Sequence, residues 1–244
     1  MNEEDLSKNR RIVELGDEIE QLPGYKLQQD FFGLDITRYI FDRNFSDLSN
    51  LITFITIDPR GATLHTVENR NKREAFGFEV IRGIYNYTGA AVSLVQHTMK
   101  LYGRLYGKNN LFPEYHERAK KDFDTPLLTF IQDFRNYCQH IKSPIITFLT
   151  ADDSNGRLVT RICIPLSDLQ EYVEWKAQAK SFLATVQERL DVMEVLVDFH
   201  NKEVAFQNWF RTRQEEIHAD ELKELDDKKD ELRALMGDNY IPPA

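Results

Sequence analysis

Apolar residues recur at steps of three and four through most of the chain, the spacing that buries one side of a helix. The first such stretch, residues 3 to 22, carries Leu6, Ile12, Val13, Leu15 and Ile19 and stops at Pro23-Gly24. Two more stretches follow before Ile57, with Ser46 or Asp47 placed to cap the second. The Ile, Thr and Phe content of that second stretch also suits a strand; its neighbours and length favour a helix. Asp58-Pro59-Arg60-Gly61 reads as a turn. From about Val67 to Tyr106 a long helix is predicted to bury Tyr85, Ala91, Val92, Leu94, Val95, Met99, Leu101 and Leu105. Within it Gly77, Gly83 and Gly89 either admit a close neighbour or simply weaken the helix, and His97 reads as structural. A linker, Gly107 to Pro113, leads to a short basic helix with Arg118, Lys120 and Lys121.

The period changes once. PIITFLTADDSNGRLVTRICIPL has β-branched runs on both sides of Asp152-Asp153-Ser154-Asn155-Gly156, which predicts a β-hairpin pairing Ile145 to Ala151 with Leu158 to Ile164. Two strands alone are marginal, so this ribbon must lie on helices or pair with a second copy. Ser167-Asp168 then cap a long helix whose seam runs through Tyr172, Trp175, Ala179, Phe182, Val186, Leu190, Met193, Val197, His200 and Val204. Beyond Arg213 an acidic helix with few leucines reaches Gly237, as a solvated extension or an arm that grips a partner. The fold class is mainly α: an elongated helical bundle with one β-hairpin inserted before a long C-terminal helix. Residues 1–212 form a single domain that includes the hairpin at about 145–164, and 213–244 form the acidic tail.

The most sharply bounded element is Thr125 to Ile145, TPLLTFIQDFRNYCQHIKSPI. At about 100° per residue, Leu127, Phe130, Ile131, Phe134, Tyr137, Cys138 and Ile141 share one side. Gln132, Asp133, Arg135, Asn136, Gln139 and His140 take the other, so a guanidinium, an amide and an imidazole stand together. Thr125 and Pro126 supply an N-cap and an N1 proline, and Lys142, Ser143 and Pro144 close the last turn of a helix of roughly four turns.

Arg135-Asn136-x-x-x-His140 resembles the R-x4–6-H signature of the HEPN superfamily, in which a polar residue commonly follows the Arg. Arg60 to His65 and Arg213 to His218 share the separation. The first lies in a Pro/Gly turn and the second leads into a run of carboxylates that would repel a phosphate. From Lys100 to Ile145 there are eight Lys or Arg against five Asp or Glu, in a chain of net charge −9.

The resemblance implies a homodimer with a composite cleft and a metal-independent endoribonuclease of toxin or defence type, cutting RNA by 2′-hydroxyl attack. In that reading Arg135 holds the phosphate, His140 moves the proton and Asn136 orients the ring or donates to phosphate. Lys142, Arg118, Lys120 and Lys121 are the candidate substrate-binding cations. A single α-helix places Arg135 and His140 roughly 140° apart, which two copies meeting at a dyad would resolve.

A protein partner that neutralises the activity goes with the nuclease reading; the alternative is a non-catalytic helical binding or scaffold protein. A DNA-binding regulator is disfavoured because no compact basic recognition helix stands out.

Composition narrows the rest. The net negative charge disfavours broad, sequence-blind nucleic-acid binding, so any RNA contact must be a local basic cleft. Two cysteines without a CxxC pair, Cys138 and Cys163, indicate neither a disulfide framework nor a zinc cluster. The P-loop, dinucleotide, nucleophile-elbow and HExxH motifs are missing, and one Glu-x-x-His at Glu215 to His218 does not make a di-iron site. No cofactor or metal is expected. Without an apolar run long enough to span a bilayer, and with an acidic start, the chain is expected to be cytoplasmic with no membrane contact.

Overall fold

A computed structural model describes residues 3–152 and 158–237. Within them the chain is mainly α, with a small antiparallel sheet: α1 (Glu3–Gln21), α2 (Pro23–Ile57), α3 (Pro59–Ala62), α4 (Arg70–Leu105), α5 (Tyr115–Phe123), α6 (Pro126–Asn136), β1 (Thr147–Asp152), β2 (Leu158–Pro165), α7 (Leu166–Gln170), α8 (Ala177–Leu183), β3 (Arg189–Asp191), α9 (Val192–Ile217) and α10 (Ala219–Met236). None of these helices is long and apolar enough to cross a membrane. The chain divides into two compact units, 1–36 with 208–244, and 37–207, so the division falls inside α2 and α9.

In the first unit α10 packs on α1 around Leu15, Ile19 and Leu225, flanked by Leu22, Tyr25, Leu232 and Leu235. The predicted tail therefore has an intramolecular partner. Gly24 makes the approach possible, because a Cβ there would meet the Glu221 carbonyl oxygen at 2.2 Å. Arg11 pairs with Glu18 and Glu231, and Lys228 with the same two carboxylates, bridging the helices at the surface. Gly237, at φ +59°, ends α10 in the left-handed region. Leu6 and Val13 of the predicted α1 stripe are exposed.

In the second unit the sheet order is β1-β2-β3. Thr147 pairs with Cys163 and Asp152 with Leu158, so the predicted hairpin forms one residue out of the expected alignment, with β1 running from Thr147 to Asp152 rather than from Ile145 to Ala151; the Asp153 to Gly156 turn lies outside the described residues. The third strand was not expected. Cys163 pairs with Asp191 and Pro165 with Arg189, so β3 interrupts the long helix predicted after Asp168 and leaves α7, α8 and α9 in its place. The break also shifts the seam. The buried side of α9 is Val192, Leu196, Phe199, Glu203, Phe206 and Phe210, whereas Met193, Val197, His200 and Val204 are only half-buried. Elsewhere α2 runs unbroken through Ser46 and Asp47, and Met99 is exposed on α4. His97 is exposed, with its Nδ1 2.9 Å from Thr37 Oγ1.

Glu203 is fully buried. One oxygen accepts from Gln207 Nε2 at 2.7 Å, and the other has no hydrogen-bond partner. Burial pushes this carboxyl up to about 7 from its ordinary 4.5. The folded chain thus keeps a proton that the unfolded chain releases between those values, so the Glu203 contribution to stability falls as pH rises through that window and levels off above it. Urea unfolding of Glu203→Gln should match the parent near pH 4 and exceed it by roughly 3 kcal/mol at pH 8. Equal curves at pH 8 would contradict this reading of the core.

Candidate functional site

The N-terminus of α6 is set locally: Thr125 Oγ1 accepts from the Leu128 N–H at 3.3 Å, and Pro126 follows. Leu127, Phe130, Ile131, Phe134, Tyr137 and Cys138 are buried as the spacing predicts, with Phe130 against Trp175 and Phe182. Two members of the pattern depart from it. Ile141 is 53% exposed, and Asp133, placed on the polar side, is buried. Asp133 accepts from the Lys176 backbone N–H at 2.8 Å and pairs with its ammonium at 3.2 Å, so a carboxylate of α6 caps α8.

The α-helix ends at Asn136. Tyr137 to Ile141 form a π-helical turn, closed by the Lys142 N–H donating to the Tyr137 carbonyl at 3.2 Å. A wider turn advances each residue by less than an α-helix does, so Arg135 and His140 lie closer in azimuth than the four-turn α-helix would put them. Asp168 fixes the exit. This buried carboxylate accepts from the Tyr137 hydroxyl at 3.2 Å, Lys142 Nζ at 2.5 Å and the Ile145 N–H at 3.2 Å, while Glu171 takes Lys142 Nζ at 2.6 Å. Those hydrogen bonds hold the Lys142 ammonium well above its ordinary range, and burial with the Asp168 charge does the same to the Tyr137 phenol. Burial pushes the Cys138 thiol up to about 12, which makes it a filler of the core rather than a nucleophile.

The sequence-selected groups divide into four sets. Arg135 and Asn136 are joined, Nη1 donating to Oδ1 at 3.0 Å, and the Arg135 Nε is buried without a partner. His140 is exposed and makes no hydrogen bond to a described residue. Lys142 belongs to the same turn, but its charge is taken by two carboxylates. Arg118, Lys120 and Lys121 stand elsewhere. Gly89 of α4 faces Gln139, whereas Tyr102, about 20 Å further along that helix at about 1.5 Å per residue, stacks on Tyr115 of α5. Arg118 there pairs with Asp122 at 2.5 Å.

The two other Arg/His pairs are occupied. Arg60 is bound by Asp58 and His65 Nε2 lies 3.0 Å from Thr160 Oγ1, its imidazole held below the usual range by burial and then by the Arg73 charge. Arg213 pairs with Glu216, and His218 is buried with Nδ1 3.4 Å from Glu221. Among the three, His140 alone offers a solvent-facing ring without an intramolecular partner among the described residues. Among the described residues no group of three metal-ligating side chains converges. No protein-family model, curated protein or solved structure matches this chain.

The π turn was not legible in the sequence, because the carboxylate that fixes its exit lies 26 residues beyond Lys142. Asp168→Ala should lower stability by about 2–3 kcal/mol in urea unfolding, since it strips three buried or half-buried donors of their acceptor. Glu171→Ala, which removes the exposed partner of the same lysine, should change it by under about 1 kcal/mol. Equal effects would mean that burial does not distinguish the two pairs.

Proposed function

We propose that this chain is a HEPN-like, metal-independent endoribonuclease whose reacting groups are Arg135, Asn136 and His140. The observation that carries the reading is the contrast among the three Arg/His pairs: two are consumed by neighbours, and His140 is presented to solvent on a π turn directly after the linked Arg135 and Asn136.

In the reaction the ribose 2′-oxygen bonds to the adjacent phosphorus as the P–O5′ bond breaks. The 2′-proton passes to a base and the departing 5′-oxygen gains a proton, leaving a 2′,3′-cyclic phosphate and a 5′-hydroxyl. An imidazole titrates near neutral pH and suits either transfer, so His140 is assigned the proton. Arg135 stabilises the negative charge gathering on the phosphoryl oxygens, and Asn136 steadies the guanidinium. Two copies meeting across a dyad, with Arg135 of one serving His140 of the other, complete the cleft.

A non-catalytic binding role is the second reading. It is favoured by the carboxylates that neutralise Lys142 and Arg118, which leave less positive charge for RNA than the sequence promises.

Labelled RNA incubated with the purified chain in EDTA should yield cyclic-phosphate ends. His140→Ala and Arg135→Ala should each slow cleavage by at least about 100-fold while keeping the parent's thermal unfolding midpoint within a few degrees. Cleavage at the parent rate by either variant removes this site, and a parent that cuts nothing leaves the binding role.

A further inference from the structure

A groove of about 480 Å³ lies between the first half of α4 and residues 143–148. Helix α4 contributes Arg70, Arg73 and Phe78 to its lining, and the 143–148 segment contributes Ser143, Ile145 and Phe148. Three features set it apart on an acidic chain. Arg70 and Arg73 have no ion pair with a described carboxylate, although Glu74 also lines the groove, and Lys72 stands between them in sequence, likewise unpaired. Phe78 is 62% exposed and stacks on no other described ring, whereas Phe148 is held by Phe76 at 6.3 Å. The groove and the π turn also lie against the same helix, α4. The Tyr85 hydroxyl lies 3.0 Å from Ser143 Oγ, and Gly89 faces Gln139, so α4 carries the groove's residues, then Tyr85, then the contact beside His140 in order along its length. At about 1.5 Å per residue Phe78 stands about 16 Å from the Gly89 contact, a few nucleotides of chain away.

We infer that this groove binds single-stranded RNA leading into the His140 turn, with Phe78 stacking a base and Arg70 and Arg73 engaging phosphates. The inference rests on the nuclease reading and names the substrate it takes: an unpaired strand, because a base reaches Phe78 only when it is free of a duplex. Stacking on an exposed ring is tolerant of sequence, and guanidiniums grip phosphate oxygens in pairs. Unpaired arginines are the groove's complement to a polyanion, and they are what a purely apolar peptide would leave without a partner.

The test uses the full chain carrying His140→Ala, so that binding is read without cleavage, and a short fluorescein-labelled single-stranded RNA followed by anisotropy across a salt series. Adding Arg70→Glu and Arg73→Glu together should weaken binding by at least about tenfold and flatten the log affinity against log salt slope by about 0.7 for each lost phosphate contact. Adding Phe78→Ala should weaken binding roughly tenfold with the slope unchanged. All three positions lie at the surface or are half-buried, and circular dichroism should stay at the parent spectrum. Unchanged affinity and slope in the double-arginine variant overturn the groove, as does a parent that binds an acidic peptide there and no RNA. The outcomes separate from those of the nuclease reading. Cleavage by the wild type with groove variants that bind normally sinks the groove alone, and groove-dependent binding without cleavage sinks the chemistry alone.

Discussion

A carboxylate withdrawn from water has to be surrounded by donors, and Asp168 collects a phenol, an ammonium and a backbone N–H from the nine residues that follow the end of α6. Each of those donors sits at a different point of the exit: Tyr137 at the start of the π turn, Lys142 at its close, Ile145 on the approach to β1. One buried oxygen pair therefore sets the path of the whole segment. Asp133 acts in the same manner one layer earlier, drawing the start of α8 onto α6. Together the two carboxylates tie the helix that carries Arg135 to the 166–183 region, and the aromatic contacts of Phe130 and Tyr137 with Trp175 fill the space between.

Satisfying Asp168 in this way has a chemical side effect. It consumes Lys142, the cation nearest to His140 in sequence, so the turn itself carries no ammonium free of a carboxylate. The turn is held from inside while its outer surface stays unengaged. Burial of Cys138 and Tyr137 anchors the inward face, and His140 is left on the outward one.

What could be read from the residues was what depends on near neighbours. The Thr125 cap, the Pro126 start, the stripe from Leu127 to Cys138 and the paired runs around 147–164 all follow from spacing and local propensity. The departures are set at a distance. Asp133 looked polar and solvent-facing because its partner Lys176 lies 43 residues on. The helix predicted after Asp168 gives way where β3 finds Cys163, Ile164 and Pro165, a pairing that no local pattern announces. With that break the α9 seam moves by one position and places Glu203 where a leucine would be expected. For the candidate site, the selection of Arg135, Asn136 and His140 rested on context, and the groove on α4 went unread because Arg70 and Phe78 are brought to residues 143–148 only by the fold.

A π turn is a helix holding one more residue than its α-type hydrogen bonds require. Residues 137–141 therefore contain slack in chain length. Removing one of them would let the backbone close as a regular α-helix, and because four α residues cover nearly the arc of five π residues, the chain beyond the deletion would keep nearly its present bearing. The extra residue is absorbed inside the turn, so its effect falls on these five side chains rather than on the path that leads to β1.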